Sequence, residues 1–143
     1  MIIKLETQLA VKETGIDGTK LIRPEQVENY LKDIKDLAQE VFVVVSLNIR
    51  NQVIQRHLVA MGTVSSAVVH PRECFRPAIL DGATSVIFAH NHPSGDPSPS
   101  AEDIRVTRQL IIAGQHIGIQ VLDHAVVGEH TLSMRETGLC EFN

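Results

Sequence analysis

The stretch that most constrains the fold is a run of five bulky apolar residues, Val41-Phe42-Val43-Val44-Val45. A strand with one face in water alternates apolar and polar residues, and this run does not alternate. It therefore predicts a strand buried on both faces, in a sheet that is covered by helices on each side. Residues 84–89, with the sequence TSVIFA, predict a second buried strand of that sheet.

Helical patterns lie between the predicted strands. Apolar residues recur at spacings of three and four from Val27 to Leu37, which predicts a helix whose apolar stripe faces the core. Residues 71–80 predict a second helix, which Pro77 should kink or shorten. Residues 101–113 predict a third helix, with Gly114 at its C-cap.

Shorter apolar segments complete a predicted sheet, with strands at residues 53–60, 117–121 and 125–127. Strands interspersed with helices predict a single α/β domain, a layered mixed β-sheet flanked by helices. We expect this domain to cover residues 21–143. Residues 1–20 are expected to form an N-terminal extension of a turn and an edge strand, the strand at residues 2–11.

Composition narrows the function classes. The chain carries 13 Lys and Arg against 17 Asp and Glu, with one Tyr, four Phe and no Trp, so it is poorly suited to grip a phosphate backbone or stack bases. Direct nucleic-acid binding is therefore disfavoured. No apolar run could span a bilayer and no signal peptide is evident, so we expect a cytoplasmic protein without a membrane partner. Cys74 and Cys140 are then expected to be reduced, buried hydrophobes.

Three side chains that bind metals lie close together in the sequence. His90 and His92 follow the second buried strand, where residues two apart point to the same side if the strand geometry continues. Asp103 lies just inside the third predicted helix. Two neutral imidazoles and a carboxylate are a usual ligand set for catalytic zinc, whose fourth position stays open for water. Zinc lowers the pKa of that water from about 16 to about 7.

The same residues have simpler explanations. An H-x-H pair arises by chance often enough that it is weak evidence when taken alone. Ser100 also fits a helix N-cap with Asp103 at the third helical position. Such a cap would fix the direction of Asp103, as a metal ligand requires, and Pro97 and Pro99 would stiffen the loop before it. The histidine pair, the helix cap and the prolines together therefore favour a metal site more strongly than any one of them does alone.

The spacing of His90, His92, Ser100 and Asp103 is similar to the JAMM motif of the JAB/MPN metalloprotease superfamily, H-x-H, seven residues, S-x-x-D. The string HNHPSGDPSPS, with SAVVHPRECF before it and VLDHAVVG after it, resembles the RadC branch in particular. This resemblance implies a cytidine-deaminase-like α/β fold. It also implies one zinc ion per chain on the two histidines and the aspartate, and hydrolysis of a peptide or isopeptide bond.

The resemblance implies roles for further residues. The family requires a glutamate just before the first core strand, and Glu40 fits that position better than its rivals Glu6, Glu13, Glu25 and Glu28. Glu40 would act as the general base that takes a proton from the attacking water and delivers it to the leaving amine. The Ser100 hydroxyl would donate a hydrogen bond to the oxyanion of the tetrahedral intermediate.

Residues around the motif are also candidates. The RadC branch commonly has an Asp-His pair where this chain has Asp123 and His124. Asp123 could accept a hydrogen bond from a metal-bound imidazole, although a plain surface turn fits equally well. Residues expected to line the cleft are Ser65, Ser66 and His70. Asn91 stands where eukaryotic deubiquitinating members carry Ser or Thr, and the RadC branch commonly has Asn there.

Other interpretations stay open. A DNA-repair-associated protein with an accessory metal is one alternative, but no helix-hairpin-helix region is recognised here, so we expect any DNA role to be weak. A non-catalytic assembly module is the other, although degenerate members of the superfamily usually lose the ligands that this chain retains. A peptide or protein conjugate is the expected substrate, an exposed N-terminal strand could support a homo-oligomer, and iron or manganese could replace zinc.

Overall fold

The structure is a computed structural model that describes residues 18–62, 64, 65 and 68–142. The strand expected at residues 2–11 and the cleft residue Ser66 lie outside the described residues. None of the helices in the described ranges has the length and apolar character needed to cross a bilayer. The elements in chain order are α1 (Pro24–Leu31), β1 (Val41–Leu47), β2 (Val53–Met61), α2 (Pro71–Leu80), β3 (Ser85–Asn91), α3 (Ala101–Ile117), β4 (Gln120–Val127), β5 (Thr131–Ser133) and α4 (Met134–Thr137), with a 3₁₀ helix at Lys32–Ile34.

The strands of the described part form one mixed sheet in the order β2-β1-β3-β4-β5. Strand β1 pairs antiparallel with β2 and with β3, and β4 pairs antiparallel with β5. Only β3 and β4 run parallel in this sheet, and α3 forms the crossover between them, as a parallel connection requires. The predicted α/β fold with a helix-flanked mixed sheet is confirmed.

The two faces of the sheet carry separate apolar cores. Alternate residues of a strand point to opposite faces, so Phe42 packs on one face with Phe75 of α2 and Leu110 of α3. Val43 packs on the other face with Leu31 of α1. All seven residues of β1 are buried, as its unbroken apolar run predicts.

The first two helices differ from expectation in detail. Helix α1 ends at Leu31 and tightens into the 3₁₀ helix, so the apolar stripe stops before Leu37, which is 40% exposed. Helix α2 has the predicted bounds and continues through Pro77 to Leu80, so of the two expected effects, a kink or a shortening, the shortening does not occur. Proline in a helix interior costs about 3 kcal/mol, and burial of Ala78 in the core beyond it helps to offset that cost.

Helix α3 extends one turn further than predicted. Gly118, with φ of 79°, is its left-handed C-cap, and Gly114 lies inside the helix. A Cβ atom at Gly114 would lie 2.5 Å from the backbone oxygen of Ile119, so glycine there permits close packing against the chain that enters β4. A close approach, rather than a helix end, explains this glycine.

The strands near the motif are longer than predicted. Strand β3 includes His90 and Asn91 as its last residues, although both were expected to follow it. Residues 117–121 and 125–127 do not form two strands, because Gln120–Val127 is one strand that pairs with β3 along its length. The short β5 and α4 have no counterpart in the prediction.

Candidate metal centre

The end of strand β3 supplies the first histidine of the site. His90 pairs with Phe42 on β1 and with Val126 on β4, so it lies on the central strand of the sheet, and its side chain is fully buried. The next residue, Asn91, points to the opposite face by strand alternation. His90 therefore faces the side that α2 and α3 cover, whereas Asn91 faces the α1 side.

Backbone groups hold the second histidine. The His92 amide donates a hydrogen bond to the Val127 carbonyl over 2.8 Å. Its ring Nδ1 lies 2.8 Å from the carbonyl oxygen of Asp96. Because a carbonyl can only accept, the ring proton belongs on Nδ1, and Nε2 of the neutral imidazole keeps its lone pair for a metal ion.

Two glycines fix the loop that carries His92. The Glu129 amide donates a hydrogen bond to the Gly95 carbonyl over 2.6 Å. A side chain at Gly128 would collide with the backbone of Gly95 and Pro97, so the loop can approach the end of β4 only because residue 128 is glycine. The loop is thus docked on the sheet.

Asp103 enters the site from the first turn of α3. Ser100 is the N-cap, and its Oγ accepts a hydrogen bond from the Asp103 amide over 3.0 Å. The Asp103 carboxylate accepts one in return from the Ser100 amide over 2.8 Å. This capping box, anticipated in the sequence, orients a carboxylate that is only 3% exposed.

His90, His92 and Asp103 form one compact cluster. The two Nε2 atoms are 3.0 Å apart, and the carboxylate oxygens lie 3.3 Å from that of His90 and 3.2 Å from that of His92. A tetrahedral zinc site with bonds of about 2.0 Å has ligand atoms roughly 3.3 Å apart. The spacing and chemistry of these three groups therefore fit a divalent cation.

The electrostatics of Asp103 suit a ligand. Burial by itself would raise the pKa of this carboxyl group, but the electrostatic contact with the neighbouring His90 imidazole and the hydrogen bonds with Ser100 lower it by more. The pKa is held well below its usual range. Asp103 is therefore ionised at neutral pH, as metal binding requires.

The other ring nitrogen of His90 contacts His124. Nδ1 of His90 lies 2.7 Å from Nε2 of His124, and Nδ1 of His124 lies 2.5 Å from the hydroxyl of Thr107. His124 is fully buried, and this burial, with a smaller electrostatic contribution from the neighbouring His90 ring, holds its pKa well below the ordinary value. The His124 ring is therefore neutral at physiological pH.

Asp123 does not have the contact that was considered for it. Its carboxylate accepts hydrogen bonds from the Ser133 hydroxyl over 2.5 Å and from the amides of His124 and Arg135. Burial raises the pKa of Asp123 despite these bonds. Asp123 therefore stabilises the start of α4, and the imidazole of His90 contacts His124 instead.

Glu40 precedes β1 on the same side as the histidines. Continuing the pairing of Phe42 with His90 by two residues brings Glu40 level with His92. The Glu40 carboxylate accepts a hydrogen bond from the Val64 amide over 3.1 Å. It also lines, beside Pro93, a cleft of about 460 Å³. Within the described chain, no hydrogen bond joins it to the three candidate ligands.

Ser65 and His70 lie in the segment before α2. Ser65 accepts backbone hydrogen bonds from Val68 and Val69. The His70 ring accepts one from the Arg72 amide over 3.2 Å and forms the N-cap of α2. Their described contacts therefore stabilise this loop and helix start and do not reach the three ligands.

Thr107 and Asn91 contribute contacts that the sequence analysis did not anticipate. Thr107 follows Asp103 by four residues, so the helical repeat puts both on one face of α3, and this spacing could have indicated it. Asn91 bonds the Val41 amide over 2.7 Å and the Gln39 carbonyl over 3.0 Å, which fixes the backbone on either side of Glu40.

Comparison with known proteins identifies relatives across almost the whole chain. The family model described as the RadC-like JAB domain matches residues 21–139. A UPF0758 protein of Geobacillus thermodenitrificans is 44% identical over 141 residues, which cover 96% of this chain and 62% of that protein. A UPF0758 protein of Bacillus pumilus is 46% identical over 141 residues, with 96% and 63% covered.

A more distant relative has similar coverage. A UPF0758 protein of Caldanaerobacter subterraneus is 40% identical over 142 residues, which cover 98% of this chain and 60% of the relative. The chain thus spans about three fifths of the length of these relatives.

Proposed function

Because this chain belongs to the RadC-like JAB domain family, we propose that it is a zinc-dependent hydrolase that cleaves a peptide or isopeptide amide bond. The observation that carries the proposal is the cluster of His90, His92 and Asp103. Glu40 lines a nearby cleft together with Pro93, the residue that follows His92. Two imidazoles and one carboxylate leave a coordination position open, which distinguishes catalytic zinc sites from closed structural ones.

His90, His92 and Asp103 would hold the ion. When bound, zinc supplies a Lewis acid that makes hydroxide available from water near neutral pH and polarises the substrate carbonyl. The nitrogen and oxygen donors suit zinc, and iron or manganese would be accommodated less well or at lower affinity. One ion per chain is expected, since the described residues contain a single cluster of this kind.

Glu40 and Ser100 would act on the substrate. Glu40 lines the cleft and would take a proton from the attacking water, then give it to the leaving amine. The Ser100 Oγ accepts the Asp103 amide, and none of the described residues accepts its hydroxyl proton. That proton is therefore available for the oxyanion of the tetrahedral intermediate.

The first experiment measures metal content by elemental analysis of the purified protein and of a His90→Ala, His92→Ala double variant. We expect about one zinc per chain in the first and none in the second. If neither protein holds metal after incubation with zinc, the proposal fails. The assembly and DNA-associated alternatives would then lead.

The second experiment tests hydrolysis directly. Peptide and isopeptide substrates are screened with the zinc-loaded protein, and Glu40→Gln is the key variant. It should keep its zinc and lose turnover by about 100-fold or more, because a general base contributes that much. Glu25→Gln, at an exposed glutamate in the first turn of α1, is the matched control and should keep full activity. Full activity of zinc-loaded Glu40→Gln would exclude Glu40 as the base.

A further inference from the structure

We propose that Thr107 and His124 are positioning residues that keep the ring proton of His90 on Nδ1, so that Nε2 is free to bind the metal. The inference rests on the proposed metal site. It assigns a task to two fully buried polar side chains behind the ligands. An imidazole ligand needs such a partner because its tautomer decides which nitrogen carries the lone pair.

The hydrogen bonds that run from the Asp103 carbonyl through Thr107 and His124 to His90 form a relay. This relay begins at the helix backbone. The Thr107 hydroxyl lies 2.7 Å from the Asp103 carbonyl oxygen, one helical turn earlier. A carbonyl has no proton to give, and the Met134 sulfur, 3.6 Å from the same hydroxyl, is only a weak acceptor, so the single hydroxyl proton of Thr107 lies between the two oxygens. Without it, two sets of lone pairs would face each other at hydrogen-bond distance. The hydroxyl oxygen is left as an acceptor.

His124 is the next member of the relay. Its Nδ1 lies 2.5 Å from the Thr107 oxygen, whose proton is already engaged, so Nδ1 must carry a proton and donate it. The ring is fully buried and has no carboxylate as a hydrogen-bond partner among the described residues, which keeps it neutral. A neutral ring with a proton on Nδ1 has a bare Nε2.

His90 completes the relay. Its Nδ1 lies 2.7 Å from the bare Nε2 of His124, so His90 donates and its proton stays on Nδ1. Its Nε2, which points at His92 and Asp103, then keeps a lone pair. The ligand atom of His90 is thus set by hydrogen bonds that start at the main chain of Asp103. His92 reaches the same tautomer through the Asp96 carbonyl alone.

The reverse direction has a specific cost. If Thr107 donated to His124, then His124 would donate to His90, and the His90 proton would move to Nε2, where it blocks the metal. In that arrangement the oxygens of Thr107 and Asp103 would lie 2.7 Å apart with no proton between them. Valine at position 107 removes this preference, because it cannot accept the proton of His124.

The test compares Thr107→Val, which has nearly the same shape without the hydroxyl, with Thr107→Ser, which keeps the hydroxyl. Thr137→Val is the matched control, since the Thr137 hydroxyl makes a similar bond to a helix carbonyl, Met134, over 2.9 Å and none of its described contacts is to an imidazole. Zinc affinity is measured by competition with a chelator. Nitrogen-15 NMR of the zinc-loaded wild-type protein reports the tautomer of His124, because the ion then occupies the lone pairs of the two ligand Nε2 atoms that lie 3.0 Å apart.

We expect His124 of the zinc-loaded wild-type protein to carry its proton on Nδ1. Thr107→Val should weaken zinc binding about 10-fold to 100-fold, because His124 loses the acceptor for that proton. Thr107→Ser and Thr137→Val should bind zinc within about 3-fold of wild type, a smaller change than that range. A merely structural packing role for Thr107 predicts the opposite ranking, because valine keeps the volume of threonine and serine loses its methyl group.

Two results would overturn the inference. One is a zinc-loaded wild-type spectrum with the His124 proton on Nε2, and this test needs no variant to fold. The other is a Thr107→Val protein whose zinc affinity matches wild type. Either result, with zinc bound to wild type, overturns the relay and leaves the proposed function standing, whereas a wild type that binds no zinc overturns both.

Discussion

The side-chain oxygen of Asn91 accepts a hydrogen bond from the backbone amide of Val41 over 2.7 Å, although the two residues are 50 positions apart. The Asn91 amide group donates to the carbonyls of Gln39 over 3.0 Å and Leu37 over 3.4 Å. The residue between the two candidate histidine ligands therefore fixes the segment that carries Glu40. Asn91 thus connects the strand end that carries the candidate histidine ligands to the segment that carries the candidate base.

Replacing Asn91 by alanine should destabilise the protein. The substitution leaves the buried Val41 amide and the Gln39 carbonyl without their partner, which costs about 1–3 kcal/mol. Urea unfolding of the metal-free protein measures the loss. Asn48→Ala is the control, because the Asn48 side chain bonds nearby amides in a partly exposed turn and its loss should cost less. An equal or larger cost for Asn48 would contradict this ranking.

The sequence predicted those parts of the site that depend on local periodicity. The two-residue spacing of His90 and His92 and the cap formed by Ser100 predicted that the ligands could meet. The contact between His90 and His124 was not predictable in this way. It depends on the parallel register of β3 and β4 across 34 residues, which no local pattern specifies. The choice of His124 over Asp123 follows from which of them points to the α3 face.

The same distinction applies to the fold. The apolar run at β1 was enough to predict a core on both faces of the sheet, because a strand that is buried on both faces has an unbroken run of apolar residues. Gly114 was predicted to end α3, because a glycine in a helical pattern usually marks its end. Its actual role depends on the nearby Ile119 carbonyl, a close contact that only the folded chain defines.

Gly114→Ala should destabilise the protein even though alanine is the better helix former. In an open helix the change would gain up to about 1 kcal/mol. Here the new Cβ would lie 2.5 Å from the Ile119 oxygen, and overpacking of this kind costs about 1–3 kcal/mol. Urea unfolding should show a net loss. Gln115→Ala, at an exposed position of the same helix, should have little effect, and a stabilised Gly114→Ala protein would contradict the close packing.

Zinc should raise the melting temperature of the wild-type protein. Free zinc at about 100 times its dissociation constant adds about 2.7 kcal/mol to the free energy of unfolding. For a domain of this size that corresponds to a rise of roughly 5–10 °C. The His90→Ala, His92→Ala variant should show no rise, and magnesium, which prefers oxygen ligands, should have little effect on either protein. Equal shifts in both proteins would indicate zinc binding elsewhere.

The stability contributed by Cys74 should decrease at alkaline pH. Burial, with a smaller contribution from the charge of Glu73, raises the pKa of this thiol to about 12 in the folded protein. The unfolded chain releases the proton near pH 8.5. The thiol therefore contributes its full stability below about pH 8.5, and this contribution falls as the pH rises towards about 12, by up to about 1.4 kcal/mol per pH unit.

Urea unfolding of wild type and Cys74→Ala at two pH values isolates this effect, because other titrating groups are common to both proteins. Between about pH 7.5 and about pH 10, the free-energy advantage of wild type over the variant should shrink by about 2 kcal/mol. Cys140→Ala is the control. Burial also raises the pKa of that thiol, but the charge of Arg108 opposes the change, so its pH dependence should be smaller. A constant advantage for Cys74 across this range would mean that its thiol ionises in the folded protein as readily as in the unfolded chain.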